Sequence, residues 1–334
     1  MTIAPLTTSV VGSHARPGWF LSAIAAADRG EFGPVDLREL YDDAVDVVCD
    51  GEMRRAGFFT AEFYRHLTGV EALPPDRRLG AGGHDQQHRF AVTEPIAAPD
   101  GLGVVDEYRY AATRTTRPLK VTIPGPYTLS GRLRSGPGEV YPERQAAAEA
   151  FVPILRAELE ALVEAGATII QIDDPSPAIH PDAPSDFAAL FNASVEPVVG
   201  KARLGAHLCF GNYEGRPLAR RTYRPVFDAM LAFRVDELVL EFANRELAEL
   251  ELLADITAAG RDVAAGLIDV KSYHLETADE VAERIDAVLA TGVPAERLTV
   301  VPDCGFSQTA RWATVAKLRA MVAGRDLVLG RSSR

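Results

Sequence analysis

Eight short β-rich runs recur along the chain, and longer amphipathic runs separate most of them. This alternation limits the fold more than any other feature, because parallel neighbours must be joined by a long crossover, usually a helix. The runs are Thr7–Val11, Ala44–Val48, Leu119–Ile123, Thr168–Ile172, Leu204–Cys209, Glu237–Leu240, Val263–Ile268 and Leu298–Val301. Between the fourth run and its predecessor, Gln145 to Ala165 carries Phe151, Val152, Leu155, Leu159, Leu162 and Val163 at helical spacing. Gly166 follows where a helix C-cap belongs, and Gly260 and Gly292 repeat the arrangement before the last two runs. Thr277–Leu289 and Thr309–Val322 also read as helices. The expected fold is α/β, a (β/α)8 TIM barrel, for which about 250 residues are typical. The surplus in this 334-residue chain falls between Glu71 and Pro118. There Phe90–Thr93 and Glu107–Tyr110 flank Pro99-Asp100-Gly101, which predicts a β-hairpin inserted before the third strand. The expected organisation is one barrel over residues 1–334 with an insertion at 71–118. A doubly wound open sheet is the competing fold, weakened by the lack of G-x-G-x-x-G after the first run.

Composition narrows the partners. A formal net charge of −12 without a long basic run disfavours nucleic acid and anionic lipid. No apolar run reaches transmembrane length, and Met1–Pro5 does not begin a secretory signal, so a cytoplasmic location is expected, with no membrane partner. Cysteine occurs only at Cys49, Cys209 and Cys304, too sparse and odd a set for a disulfide framework. Lysine occurs only at Lys120, Lys201, Lys271 and Lys317, so each lysine draws notice.

In a TIM barrel the active site lies at the C-terminal ends of the strands. Those ends hold Ser13, Glu52, Asp173, His207 with Cys209, Glu241 and Cys304. His207 and Cys209 are two apart on a strand and so face the same way. With Glu241 and Cys304 they offer one nitrogen, two sulfurs and one oxygen, a set suited to zinc. Taken singly, a core histidine and two small buried thiols are the plainer explanation; the convergence of four such residues on one rim favours metal. A purely structural zinc stays open. Glu52 and Asp173 can bind a cation or serve as acid and base, or they can cap helices and pair with Arg54 or Arg55. The turn Val11-Gly12-Ser13 can cradle a carboxylate or be only a turn. His14 and Arg16 read as rim residues, and Cys49 and Trp312 as packing. His84 and His88 lack a helical context that would make them metal ligands.

In order along the chain stand Val11-Gly12-Ser13, Asp50-Gly51-Glu52, Pro124-Gly125-Pro126, Ile170-Gln171-Ile172-Asp173, His207-Leu208-Cys209, Leu240-Glu241 and Pro302-Asp303-Cys304-Gly305. This series resembles the catalytic C-terminal barrel of cobalamin-independent methionine synthase, in a stand-alone form. The resemblance implies that His207, Cys209, Glu241 and Cys304 bind Zn2+. It also implies that Val11, Gly12, Ser13, Glu52 and Asp173 hold the amino-acid end of homocysteine, and that the thiol is methylated to give methionine. Two features depart from the pattern. Asp269-Val270-Lys271-Ser272 has Lys271 where the family has the histidine thought to protonate the departing folate, so Lys271 is the catalytic candidate, as an acid or as the holder of an anionic group. Nearby His274 is a second candidate for the missing histidine. The aromatic folate platform is also missing, with Tyr127 the one candidate ring. The methyl donor is therefore expected to be a methylfolate or a methylcorrinoid protein. A zinc-dependent alkyltransferase acting on another thiol or electrophile, such as an epoxide, is the alternative.

Overall fold

A computed structural model describes residues 4–14, 45–52, 54–55, 60–74, 89–180, 187–212, 217, 219–307 and 309–332. Arg16, Ala44, His84 and His88, all singled out from the sequence, lie outside the described residues. The strands are β1 (Thr7–Thr8), β2 (Thr68–Ala72), β3 (Phe90–Ala97), β4 (Lys120–Pro124), β5 (Ile169–Asp173), β6 (Arg203–Leu208), β7 (Glu237–Glu241), β8 (Asp262–Ile268) and β9 (Leu298–Pro302). Seven of them form one curled parallel sheet in the order β1-β9-β8-β7-β6-β5-β4. Every residue of β4, β5, β7 and β9 is buried, as parallel strands covered on both faces require.

The two-residue period divides each strand between two environments. Leu238, Leu240, Val263, Ala265 and Val300 join the large core. Their alternates Val239, Ala264 and Val301 meet Val11 in a separate cluster on the sheet's other face. That inner face is polar at its lower end, where Arg203 pairs with Glu237 at 3.0 Å and Asp262 at 2.9 Å. Above this level Lys120 Nζ donates to Gln171 Oε1 at 2.7 Å and to the carbonyl of Val10. The apolar layer then closes beneath the rim that carries Asp173, His207 and Glu241.

Helix ends follow local rules. The helix Arg144–Glu164 stops because Gly166 takes φ +98°, a conformation that costs glycine little, and its N–H reaches the carbonyl of Val163 at 3.0 Å. The helix Ala278–Leu289 starts on a capping box: Glu280 N donates to Thr277 Oγ1 at 3.2 Å, and Thr277 N donates to Glu280 Oε2 at 2.7 Å. The last helix, Arg311–Ser332, runs well beyond its expected end at Val322. Trp312 at its start is 65% exposed, so it does not pack as expected. Cys49 does, as a buried thiol.

Three expectations need correction. Of the run at 44–48, the described residues 45–48 form only isolated parallel bridges, Ser9↔Val47 and Val48↔Leu119, which lie between β1 and β4. Asp46 interrupts it: the carboxylate accepts from Thr8 N at 2.8 Å and Thr8 Oγ1 at 2.7 Å, in the place of a ladder partner. Thr7–Val11 is likewise shortened to two strand residues. The inserted hairpin is wrong in its second arm. Val104–Ala112, which contains Glu107–Tyr110, is an α-helix, and β3 pairs antiparallel with β2 instead. The cause is distant in sequence. Buried Glu158 caps this helix, accepting from Leu102 N at 2.7 Å, Val104 N at 2.9 Å and Val105 N at 3.2 Å. A carboxylate at an N-terminus satisfies free N–H groups and the helix dipole together. Among the described residues, no helix is long and apolar enough to cross a membrane.

Candidate metal centre

His207 lies at the end of β6, Cys209 follows that strand directly, and Cys304 follows β9. The fold brings their side chains together: one ligand atom from each lies within 4.8 Å of the others. Cys209 Sγ and Cys304 Sγ are 3.6 Å apart. Two thiolates on one tetrahedral zinc, with Zn–S near 2.3 Å, would be separated by about 3.8 Å. His207 Nδ1 is 3.1 Å from the carbonyl of Val239, which orients the ring, while Nε2 is buried with no hydrogen-bond partner. A metal-bound histidine commonly shows this arrangement, one nitrogen tied to a carbonyl and the other left for the ion. The hydrogen bond from Cys209, and then the His207 ring, hold the Cys304 thiol below its usual range.

Glu241, at the end of β7, also has a buried oxygen without a partner, Oε1. Its Oε2 accepts from Lys271 Nζ at 2.6 Å and from Phe210 N at 3.4 Å. Among the described residues the tight three-atom group contains His207, Cys209 and Cys304, with Glu241 outside it. Orphaned Nε2, orphaned Oε1 and paired sulfurs together suit a borderline-soft divalent ion.

Two residues position these side chains through partners that the sequence does not reveal. Tyr223 sits where β6 and β7 part, with Oη donating to the carbonyl of Leu208 and accepting from Glu241 N, both at 2.8 Å. Its hydroxyl thus replaces the ladder bond lost where the strands diverge. Asp303 is fully buried and accepts from Phe242 N and Ala243 N at 2.9 Å and from Asn244 N at 2.7 Å. It ties the segment after Glu241 to the residue before Cys304. The motif Pro302-Asp303-Cys304-Gly305 contained this aspartate, but its partners lie some sixty residues away.

The second part of the site faces these ligands from β1, β4 and β5. Asp173 pairs in register with His207. Gln171 Nε2 donates to Asp173 Oδ1 at 2.7 Å and to the carbonyl of Val11 at 2.9 Å, linking β5 to the first turn. Burial raises the Asp173 carboxyl to about 7, and nearby Glu52 adds to the rise, although His207 opposes it. Glu52 is buried at φ +54°, a strained setting for a residue with a side chain. Its Oε1 accepts from Thr122 Oγ1 at 3.0 Å and pairs with Arg55 at 3.2 Å. Gly12 has φ +140°, and a Cβ there would stand 2.9 Å from Glu52 Oε1. Ser13 packs on Gly305, and its carbonyl accepts from Phe306 N at 2.6 Å, so the first turn abuts the Cys304 loop. His14 is buried beside this turn. His274 is exposed, with Nε2 3.0 Å from Glu280 Oε1. Tyr127 is buried under Arg144, whose Cζ stands 4.0 Å from the ring centroid, so it is not an open platform.

A parallel α/β sheet carries an imidazole, two thiols and buried carboxylates on its C-terminal rim, a donor set that could hold a metal ion. Residues 37–325 match the family described as cobalamin-independent synthase, catalytic domain. The methionine synthase of Thermococcus kodakarensis is 31% identical, over 98% of this chain and 95% of that protein. That of Sulfurisphaera tokodaii is 30% identical, over 97% and 92%. Among solved structures, a B12-independent methionine synthase from Shewanella in complex with selenomethionine superposes with a TM-score of 0.79, at 26% identity and 99% coverage of both chains. A putative vitamin-B12-independent methionine synthase from Listeria monocytogenes shares the fold, with a TM-score of 0.69, 20% identity and coverage of 98% and 99%. The chain belongs to the cobalamin-independent synthase family, whose catalytic domain it matches over residues 37–325.

Proposed function

We propose that this chain is a zinc-dependent methyltransferase that moves a methyl group to the thiol of homocysteine and releases methionine. The observation that carries this reading is the cluster of His207, Cys209 and Cys304, with an unpartnered imidazole nitrogen aimed into it. Family membership and the relatives called methionine synthase support the reaction. The selenomethionine held by the Shewanella protein is a close analogue of the product.

His207, Cys209, Cys304 and Glu241 would hold the zinc. When bound, the ion supplies Lewis acidity that favours the ionised form of a thiol whose ordinary pKa is about 8.5. The chain's own residues bind and orient the substrate. Glu52 and Asp173 receive the ammonium group, which keeps Asp173 ionised despite its burial. Backbone N–H groups of Val11, Gly12 and Ser13 receive the carboxylate. Asp173 beside His207, and Ser13 against Gly305, support an amino-acid end bound next to the candidate cluster.

The sheet is taken to close as a (β/α)8 barrel over residues 1–334, with the bridges at Val47 and Val48 standing for its second strand and residues 71–118 as an insertion. A cytoplasmic setting suits three cysteines that are all unpaired. Tyr127 is buried and offers no open ring for stacking, and the donor is a methylfolate or a methylcorrinoid protein. The test is direct: zinc-loaded protein, homocysteine and each donor in turn, with methionine measured. Methionine from at least one donor is expected. None from either, with zinc bound, overturns the assignment to homocysteine.

A further inference from the structure

Lys271 is paired inside the protein with Glu241. Its side chain is fully buried, as is that of Glu241, and Nζ stands 2.6 Å from Oε2. The lysine is also anchored. Its backbone N–H donates to Asp269 Oδ1 at 2.8 Å, and the Asp269 carboxylate accepts from Asn244 Nδ2 at 3.1 Å. Asn244 N in turn donates to Asp303 Oδ2 at 2.7 Å. The segments after β7, β8 and β9 are thus fastened to one another, and Lys271 is held against one carboxylate oxygen while the other is left without a partner.

We propose that Lys271 is a positioning residue that acts through Glu241: it grips Oε2, so that only Oε1 would be left for a bound metal, and it would retain the carboxylate if the substrate thiol displaced it. The proposal rests on the zinc reading given above and deepens it. A carboxylate whose charge is shared with an ammonium is a weaker ligand for a cation, and so is more readily exchanged. A displaced carboxylate left unpaired in a buried site would be strongly disfavoured, and the lysine supplies its counter-charge. The lysine that stands in the place of a proton-donating histidine thus serves ligand exchange rather than the donor.

The test uses the full zinc-loaded chain, with zinc affinity measured by chelator competition and coordination by zinc X-ray absorption with and without homocysteine. Lys271→Met is expected to bind zinc about tenfold more tightly and to gain no sulfur from homocysteine, because Glu241 stays on the ion. Lys271→Arg is expected to restore the wild-type exchange. In a Glu241→Gln background, which also relieves the buried charge should Lys271→Met alone fold poorly, the same substitution is expected to change zinc affinity less than about threefold. A Lys271→Met protein that gains a sulfur as the wild type does, losing only methyl transfer, would mark a general acid and overturn the proposal. An equal affinity change in both backgrounds would overturn it too. A wild-type chain that holds no zinc, or that gains no sulfur, overturns the zinc reading itself, and the proposal falls with it.

Discussion

Cys304→Ala is expected to strip the protein of stoichiometric zinc and to lower methionine formation by more than about a hundredfold, since partners one step outside a metal already contribute 10–100-fold. The two sulfurs lie 3.6 Å apart on different strand ends, so removing one leaves only His207 and Cys209 of the tight cluster. Cys304 is only partly buried, and alanine leaves no large void, so the fold should persist. Cys49→Ala is the control. Its sulfur is occupied with Gly12, donating to that carbonyl at 3.0 Å, and it lies outside the cluster. Zinc by mass spectrometry and melting temperature, measured on both variants, separate ligand loss from unfolding. Full zinc occupancy in Cys304→Ala would show that the ion, if present, is held elsewhere.

Glu52→Gln is expected to lower kcat/KM for homocysteine by about 10- to 150-fold, the equivalent of a charge-assisted hydrogen bond worth about 1.5–3 kcal/mol. The substitution keeps the side-chain shape and removes only the charge offered to the ammonium group. Arg55 does not lose its footing. Its Nε and Nη2 reach Glu107 at 3.0 and 2.9 Å, and Nη2 also donates to the carbonyl of Thr122 at 2.7 Å. The loss should therefore appear in steady-state kinetics with zinc content unchanged. An unchanged kcat/KM would assign Glu52 to holding Arg55 alone.

These two substitutions fall on residues that the sequence exposes, and the reason is geometric. Strands alternate every two residues, so His207 and Cys209 had to share a face, and strand ends in a parallel sheet gather at one rim. Glu241, Cys304, Asp173 and Glu52 followed from their places after short apolar runs. The missed features share a different cause: each depends on a contact between segments far apart in the chain. Glu158 caps the helix Val104–Ala112 across about fifty residues, so Glu107–Tyr110 is helix where a strand is expected. Asp46 breaks the second run through Thr8. Asp303 and Tyr223 fasten the strand ends of the candidate site through backbone atoms far away in sequence, partners that the motif around Asp303 does not reveal. Lys271 was visible as an oddity, but its partner Glu241, thirty residues earlier, was not. Lys120 was visible in the same way, as a cation inside an apolar strand, and its role emerged only with Gln171 and the Val10 carbonyl.

Zinc X-ray absorption on the zinc-replete chain, recorded before and after homocysteine, bears most directly on the metal centre. Sulfur from Cys209 and Cys304 alone is expected beforehand, and one further sulfur once homocysteine is added. A sulfur shell that homocysteine leaves unchanged, or a purified chain that takes up no zinc, would contradict a site made to ionise a thiol.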